Sequence, residues 1–314
     1  MCVACDYTIH RRDHHYGWSR DFTPAAVAKS GSTIHFECLD SSGGQLGTGS
    51  TVADVVNLDF AKVNPVTGPV YVEGAQPGDV LKVEIREFVP SGIGWTAVIP
   101  GFGLLADQFT DPALHIWTYD PGTMAPSLFG PGGSVPLKPF AGTIGVAPSE
   151  PGVHSVVPPR RVGGNLDIRD LSSGVTLYLP VEVEGALFSV GDTHAAQGDG
   201  EVCGTAIESA MNVTLTLSVL KDQTLESPRF TTPGPVTRHL DAAGYEVTTG
   251  VGPDLMTASR EALSRMIDLL SREHGYAPAD AYMLCSVAGD LRISEIVDMP
   301  NVVVSFYFPR IVLQ

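Results

Sequence analysis

The sequence predicts a mainly β protein with an α+β region at its C-terminal end. Its 314 residues include 34 Gly and 24 Pro but only 17% charged residues, a composition typical of many strands and tight turns. Apolar and polar residues alternate in several stretches, and helical spacing becomes clear only after residue 251. We therefore expect an antiparallel β-sandwich or jelly-roll-like core, with two long helices near the C-terminus.

Alternation predicts the individual strands. They cover residues 32–39, 80–86, 142–145, 210–220, 245–249, 291–297 and 302–309, and residues 174–190 indicate two consecutive strands. Residues 121–139 and 147–163 are instead rich in Pro and Gly and show no periodicity. We expect these two stretches to be long loops, stiffened by proline, that cover a functional part of the molecule.

Helical spacing appears twice in the last quarter of the chain. Residues 257–274 carry one apolar stripe opposite a charged face, and Gly275 is a residue type that commonly follows a helix end. A second helix is expected to begin at Pro278, with an apolar face that includes Leu284 and Ala288. We divide the chain into a β-rich domain, residues 1–250, that carries the active site, and an α+β region, residues 251–314, packed on it.

The charge balance excludes several partners. Lys and Arg number 19 against 35 Asp and Glu, so the formal net charge is −16. Such an acidic surface repels nucleic-acid phosphates and anionic lipids, whereas it accepts a neutral small molecule. The first thirty residues lack an apolar core of signal-peptide length, and no run of eighteen apolar residues occurs in the chain. These features predict a cytoplasmic protein that binds neither nucleic acid nor membrane.

The five cysteines argue against a disulfide framework because their number is odd and they are scattered. Cys2 and Cys5, with His10 nearby, have the spacing of half a zinc knuckle, but no second cysteine pair follows. We favour a disordered or simply packed N-terminus over a metal site there.

Chemistry-bearing side chains are concentrated in residues 191–208, GDTHAAQGDGEVCGTAIE. This stretch follows a predicted strand, so the strand can hold side chains in place while the glycines leave room for a ligand. Asp192 and His194 are two residues apart, which places two metal-ligand types on the same side of an extended strand. Glu201 and Glu208 follow within reach. We interpret the stretch as the candidate active site, although Asp199 with its following glycine can also form a simple turn.

The same stretch resembles the signature of the acetamidase/formamidase family. Further blocks resemble that family in the same order along the chain, at residues 67–79, 100–107, 139–148, 163–167 and 289–298. The resemblance implies hydrolysis of small aliphatic amides to ammonia and a carboxylate by a metal-carrying protein with a β-rich fold. Together with the acidic, strand-rich surface, it also predicts a homo-oligomer.

Amide hydrolysis sets requirements that the candidate residues can meet. Without a covalent nucleophile, the enzyme must polarise the carbonyl oxygen and generate hydroxide near neutral pH, and a divalent cation can do both. We expect Asp192 and His194 to be ligands, with Asp167 or Glu208 as the third. Glu201 is the expected base that passes a proton to the departing amine, and Asp167 is the alternative proton-handling carboxylate. The roles of these three carboxylates stay open.

Two other functions remain open beside metal-assisted hydrolysis. A metal-free amidase would use Cys203 as its nucleophile, but the chain has five lysines and none lies near the motif to lower the thiol pKa. A non-catalytic β-sandwich protein would hold a structural Ca²⁺ with carboxylates alone. His194 favours Zn²⁺ or another transition metal over Ca²⁺.

Two residues near the start of the chain are further candidates for the site. The family resemblance suggests that His15 and Asp40 lie near the pocket. Both also suit an ordinary loop and turn, because short polar residues hydrogen-bond to their own backbone there.

Overall fold

The computed structural model describes residues 5–313 and confirms a mainly β architecture. Cys2 of the cysteine pair noted above lies outside the described residues. The strands, numbered in chain order, are β1 (Tyr7–Ile9), β2 (His14–His15), β3 (Gly17–Trp18), β4 (Ala26–Ala28), β5 (Ser32–Glu37), β6 (Val66–Val72), β7 (Val80–Pro90), β8 (Ile93–Val98), β9 (Ala113–Thr118), β10 (Ser127–Phe129), β11 (Gly133–Val135), β12 (Phe140–Gly145), β13 (His154–Ser155), β14 (Gly163–Asn165), β15 (Thr176–Pro180), β16 (Phe188–His194), β17 (Met211–Leu220), β18 (Arg229–Thr231), β19 (Tyr245–Gly252), β20 (Asp290–Glu295) and β21 (Val302–Pro309). The helices are α1 (Val52–Val56), α2 (Leu255–His274) and α3 (Pro278–Ala288).

Two large sheets form the body of the molecule. One has the strand order β1-β5-β17-β7-β15-β18, and the other has the order β14-β12-β16-β6-β2 with β4 beside β6. Most neighbours are antiparallel, but β1 pairs with β5 and β4 pairs with β6 in parallel. The two strands predicted within residues 174–190 are β15 and β16, and they lie in different sheets.

The two sheets share one hydrophobic core. Buried side chains from β5, β7, β15 and β17 of the first sheet pack with those from β6, β12 and β16 of the second. The rings of Phe36 on β5 and Phe188 on β16 meet edge to face, with 5.7 Å between centroids. Two sheets that share one core are the feature expected of a sandwich. The jelly-roll topology stays a prediction.

A third sheet, β19-β21-β20, carries the two longer helices near the C-terminus. Helix α2 begins after Asp254, whose side chain accepts a hydrogen bond from the Thr257 amide. It is followed by Gly275 in the left-handed conformation. The residues of its apolar stripe, Ala258, Ala262, Met266 and Leu270, are all fully buried.

Helix α3 differs from its prediction. The sequence suggested one apolar face, but every residue from Ala281 to Ala288 is buried. A helix that is apolar all round can be enclosed on every side, and the short polar exception, Ser286, makes internal hydrogen bonds. The helix therefore lies inside the molecule rather than on its surface.

The predicted division at residue 250 falls inside β19, which pairs with β21 along its whole length. The division of the chain into two regions stays a prediction. One loop prediction is wrong in part, because residues 121–139 contain the short hairpin of β10 and β11. Alternation over three residues per strand is too short to be recognised by periodicity. Within residues 5–313, no helix is long and apolar enough to cross a membrane.

Candidate active site

Five of the residues singled out in the sequence converge on one centre. The ligand atoms of Asp192, His194 and Glu208 lie within 4.8 Å of one another, and so do those of Asp167, His194 and Glu201. His194 belongs to both groups, so its imidazole joins two sets of carboxylates. The centre therefore combines residues from two separate blocks of the sequence.

Strand β16 supplies the first two side chains. It extends to His194, so Asp192 and His194 lie within the strand, whereas the sequence suggested that the strand ended before them. Asp192 departs from extended geometry, with φ of 49°. Asp167 and Glu201 also have positive φ, at 48° and 42°. Such conformations are uncommon for residues other than glycine and are concentrated at functional sites.

Backbone pairing brings Glu208 opposite His194. The amide of Ala195 donates to the Ile207 carbonyl, and the amide of Ser209 donates to the Thr193 carbonyl, each at 2.9 Å. Residues 193–196 and 207–209 thus run antiparallel, and the residues between them form a closed loop. Directly opposed residues have neighbouring side chains, so the position of Glu208 follows from this register.

The imidazole of His194 is oriented from both sides. Its Nε2 lies 3.1 Å from Asp192 Oδ1 and 3.1 Å from Glu208 Oε2. Its Nδ1 lies 3.0 Å from Gln197 Oε1, and Gln197 Nε2 donates to the Asp167 carbonyl at 2.7 Å. Because a carbonyl oxygen only accepts, the Gln197 amide nitrogen must face Asp167, and Gln197 Oε1 must accept from Nδ1–H.

This assignment leaves Nε2 facing two carboxylate oxygens. A proton or a divalent cation must lie between the three atoms, since their lone pairs would otherwise repel one another. Burial opposes the charged imidazolium, but the charges of Glu208 and Asp192 outweigh it and raise the pKa of His194 well above its usual value.

The carboxylates differ in their tendency to ionise. Burial raises the pKa of Asp167 to about 7, assisted by the negative charge of Asp192. Burial, followed by the charge of Asp167, raises the pKa of Glu201 well above its usual value. Burial also opposes ionisation of Asp192, but the charge of His194 and hydrogen bonds to the carboxylate hold the Asp192 pKa below its usual value. Burial also raises the pKa of Glu208, so Asp192 is the carboxylate of the four that ionises most readily.

Three polar residues outside the predicted set support Asp192. Thr143 Oγ1 on β12 lies 3.1 Å from Asp192 Oδ2, and Asn64 Nδ2 lies 3.4 Å from the same oxygen. Asn165 Oδ1 lies 2.6 Å from the Thr143 hydroxyl and accepts from Asn64 at 3.2 Å. In the sequence, Thr143 and Asn165 fall in blocks that resemble the family, with a turn as the alternative for Asn165, whereas Asn64 was not marked.

The donor set fits a divalent cation. Among the described residues, Asp167 Oδ1 and Glu208 Oε2 are buried without a hydrogen-bond donor. Unsatisfied buried oxygens of this kind are rare and are often explained by a bound ion. Two carboxylates meet here at one imidazole nitrogen, and the imidazole suits zinc or another transition metal better than calcium.

A cavity of about 290 Å³ lies beside the centre. Its lining includes four of the five converging residues, Asp167, Asp192, Glu201 and Glu208, and several apolar side chains. A small ligand in this cavity can therefore approach the carboxylates directly.

Comparison with known proteins now decides the family. The acetamidase/formamidase family profile matches residues 5–156 and 150–314. The chain belongs to the acetamidase/formamidase family. The resemblance inferred from the sequence blocks is thus confirmed, and as a family member the chain is an amidohydrolase acting on linear amides.

Individual relatives agree with this membership. A formamidase of Methylophilus methylotrophus is 29% identical over 97% of this chain and 89% of that protein. An acetamidase of Mycolicibacterium smegmatis is 31% identical over 70% of each chain. The solved structure of a gamma lactamase from Delftia acidovorans is 26% identical, covers 98% of this chain and 93% of its own, and superposes with a TM-score of 0.90.

His15 and Asp40 occupy different places in this family member. Asp40 lies behind the cavity wall, where its Oδ1 accepts from Trp95 Nε1 at 3.1 Å. Trp95 in turn lines the cavity. His15 bonds to Ser189 Oγ at 2.8 Å and to the Gly17 carbonyl at 2.6 Å, beside a separate surface depression. Asp40 thus supports the pocket indirectly, and His15 lies on β2, beside β6 in the same sheet.

Cys203 has the surroundings of a packed cysteine. It is fully buried, and its sulfur lies 3.6 Å from the Ala97 carbonyl and 3.4 Å from Thr205 Oγ1. Burial raises the pKa of the thiol above its usual value. A reactive cysteine needs the opposite environment, because the thiolate is the nucleophile.

Proposed function

We propose that this protein hydrolyses a small aliphatic amide, of the formamide or acetamide kind, to ammonia and a carboxylate with the help of a divalent metal. The observation that carries the proposal is the convergence of four carboxylates around His194 in a member of this family. Relatives named formamidase and acetamidase support the choice of substrate.

We assign Asp192, His194 and Glu208 as the residues that would hold the metal, and favour zinc because of the imidazole. Glu208 is a better third ligand than Asp167, because its Oε2 is only 3.1 Å from His194 Nε2. When bound, a divalent cation would polarise the amide carbonyl and lower the pKa of water. Gln197 would keep the imidazole turned towards the ion, as hydrogen-bonded partners of ligating histidines do.

Glu201 and Asp167 would handle the protons. Glu201 faces the cavity, and its raised pKa suits a group that takes a proton from the attacking water and passes it to the departing amine. Without that proton, the amine would have to leave as an amide anion. Asp167 lies within 4.8 Å of Glu201 and would hold the proton between the two steps, since its pKa is near neutrality.

A second candidate reaction is the opening of a γ-lactam. It is favoured by the TM-score of 0.90 to a protein named gamma lactamase, over 98% of this chain. A lactam contains the same amide bond within a ring. Hydrolysis of the ring produces an amino acid and releases no ammonia, so the two reactions have different products.

Purified protein separates these functions from the alternatives. Bound metal should be measured together with ammonia release from formamide and acetamide and with amino-acid formation from γ-butyrolactam. The proposal predicts bound transition metal and ammonia release. Metal without turnover on any amide would support a binding protein, and calcium as its only metal would point to a structural ion.

Cys203 provides the test of the thiol mechanism. We expect Cys203→Ala and Cys203→Ser to keep most of the catalytic rate, because the side chain is packed between backbone carbonyls. Complete loss of activity with fold and metal content intact would place the thiol mechanism first.

A further inference from the structure

The cavity beside the carboxylates is larger than the smallest amides require. Its volume of about 290 Å³ is close to the lower end of the roughly 300–1,000 Å³ found for pockets that hold drug-sized ligands. Formamide and acetamide are small molecules, and a water, for comparison, occupies about 30 Å³ in the liquid. Either amide would therefore fill only a fraction of the cavity. The remaining space must face some other part of the substrate or stay filled with water.

The walls of that remaining space are apolar. Besides the polar residues of the centre, the lining contains the apolar side chains of Leu58, Phe60, Val63, Ile99, Phe102 and Val157. Two of these are aromatic and partly open to solvent, Phe60 with 60% and Phe102 with 45% of its surface exposed. Exposed aromatic rings that line an apolar cavity with a few polar groups at one end are typical of a ligand site.

Phe102 is held against the catalytic stretch itself. Its ring packs on Gly204, three residues after Glu201, so closely that a Cβ at position 204 would overlap the ring. Gly204 also has φ of 88°, which other residues rarely adopt. The sequence therefore keeps a glycine where the ring of Phe102 needs room.

The residues directly after Phe102 are also held in place. Gly103 lies so near the Cys203 carbonyl and the Tyr282 hydroxyl that an added Cβ would be 2.7 Å from each oxygen. The amide of Leu104 donates to the Val202 carbonyl at 2.8 Å, and Tyr282 Oη accepts from the next amide at 2.9 Å. Phe102 is thus a preformed wall, and no rearrangement is needed for it to contact a substrate.

Phe60 also lines the cavity, on a short capped turn. Asp59 Oδ1 accepts from the Ala61 amide at 3.1 Å, and the Lys62 ammonium lies 3.0 Å from Asp59 Oδ2. Two residues after this turn, Asn64 lies against Asp192. The position of Phe60 is therefore coupled to the carboxylate centre through a short, hydrogen-bonded segment.

We propose that the preferred substrate is a primary amide whose acyl group is apolar and larger than methyl, a medium-chain aliphatic or arylalkyl amide, selected by Phe60 and Phe102. The proposal rests on the proposed amide hydrolysis and names its substrate class. The amide end lies at the carboxylates, and the acyl chain lies along the two rings. Each methylene buried there strengthens transition-state binding by about fourfold.

The test compares kcat/KM for acetamide, hexanamide and phenylacetamide in the metal-loaded enzyme, followed as ammonia release. We expect hexanamide and phenylacetamide to exceed acetamide by at least about tenfold. Phe102→Ala and Phe60→Ala should each lower kcat/KM for phenylacetamide by about tenfold more than for acetamide. Phe102→Leu keeps an apolar wall, so its kcat/KM for phenylacetamide should lie between the values for the unchanged enzyme and for Phe102→Ala. This variant guards against a folding defect.

A matched control is Leu128→Ala, because Leu128 is a large apolar residue, 76% exposed, on the hairpin of β10 and outside the cavity lining. This variant should leave the ratios of kcat/KM between the three amides unchanged. Acetamide as the best substrate, or equal losses on all amides in both Phe variants, would overturn the proposed substrate class while amide hydrolysis itself stands. Ammonia release from no amide in the series would overturn both.

Discussion

Single residues at the centre hold conformations that a polypeptide rarely adopts. Asp167, Asp192 and Glu201 all have positive φ, and such strain costs on the order of 1–3 kcal/mol at each position. The surrounding hydrogen bonds offset this cost, since Thr143 contacts Asp192 and Gln197 donates to the Asp167 carbonyl. The cluster is therefore maintained by its neighbours rather than by local preference.

Gly142 on β12 provides the room in which these side chains meet. A Cβ there would lie 2.6 Å from Asp167 Oδ1 and 2.8 Å from His194 Cε1. We predict that Gly142→Ala lowers kcat/KM by at least about a hundredfold and weakens metal retention, because a small misplacement of catalytic groups is expensive. Gly47→Ala is the matched control, since a Cβ at that glycine meets no atom within 4 Å. Unchanged activity in Gly142→Ala would mean that the cluster tolerates displacement.

The raised pKa of Asp167 makes stability depend on pH. Its folded pKa of about 7 lies above the ordinary value of 3.8, so the contribution of this group to stability is present below the ordinary pKa and is lost as pH rises through 7. In chelator-treated protein, Asp167→Asn should therefore raise Tm by more at about pH 8 than at about pH 5. Thermal melts at both values check this. An equal or smaller gain at the higher pH would show that the carboxyl group ionises normally.

The sequence identified the five converging residues because they are dense in two short blocks. It could not assign their supporting partners, since those contacts join distant segments. Asn64 and Asp192, for example, are 128 residues apart. Gln197 lies inside the marked stretch, three residues after His194, but its role depends on the Asp167 carbonyl, which only the folded chain brings near. The division of roles among the carboxylates stays a prediction.

At the scale of elements, helix α3 anchors the loop that carries Glu201. The Ser286 hydroxyl accepts from the Cys203 amide at 3.1 Å and donates to the Thr205 carbonyl at 2.7 Å, while the Ser286 carbonyl accepts from the Gly198 amide at 2.8 Å. The loop is thus tied near both of its ends to one helical residue. Sequence periodicity could predict the helix but not this contact.

We predict that Ser286→Ala lowers the free energy of unfolding by about 1–3 kcal/mol, because it leaves a buried amide and carbonyl unpaired. Turnover should fall as well, since the loop positions Glu201. Chemical denaturation and initial rates measure the two effects. Ser271→Ala on α2 is the control, because its hydroxyl has no hydrogen-bond partner among the described residues and its loss should be nearly neutral. Similar stability losses in both variants would contradict the anchoring role.

Elements with long, regular patterns could be predicted, whereas a very short hairpin and the burial of a helix on every side could not. The alternating stretch at residues 210–220 corresponds to β17, the central strand between β5 and β7. The hairpin of β10 and β11 is too short for a periodic signal, and the burial of α3 on every side depends on what surrounds it. The periodicity of apolar residues indicates which side of a strand or helix is buried, whereas the burial of its other sides depends on tertiary contacts.

At the scale of the whole molecule, a buried ion pair connects the active-site segment with the C-terminal region. Arg169, two residues after Asp167, pairs with Asp290 at the start of β20, and its Nη2 lies 3.0 Å from Asp290 Oδ2. Arg169 Nε also lies 3.4 Å from Asp199 in the catalytic loop. Residues from three parts of the chain therefore meet beside the centre, so the fold of the C-terminal region bears on the geometry of the site.

We predict that several copies of the chain associate as a homo-oligomer. The family resemblance and the strand-rich acidic surface, with a net charge of −16, are the basis of this prediction. Light scattering of purified protein at micromolar concentration should give a multiple of the mass of one chain. The mass of a single chain at that concentration would contradict the prediction. The cytoplasmic location likewise stays a prediction from the sequence.

The central claim is that a metal held at His194 and a proton carried by Glu201 act together. His194→Ala should lose metal and activity at once, because its Nε2 lies between the two ligand carboxylates. Glu201→Gln should keep the metal and lose about a hundredfold or more in turnover, since the amide cannot transfer the proton.

The most direct measurement is therefore ammonia release from acetamide, assayed beside bound metal in native, chelator-treated and metal-reloaded enzyme. Turnover should disappear with the metal and return when zinc or another divalent transition metal is restored. A fully metal-depleted preparation that hydrolyses the amide at the native rate would contradict the central claim.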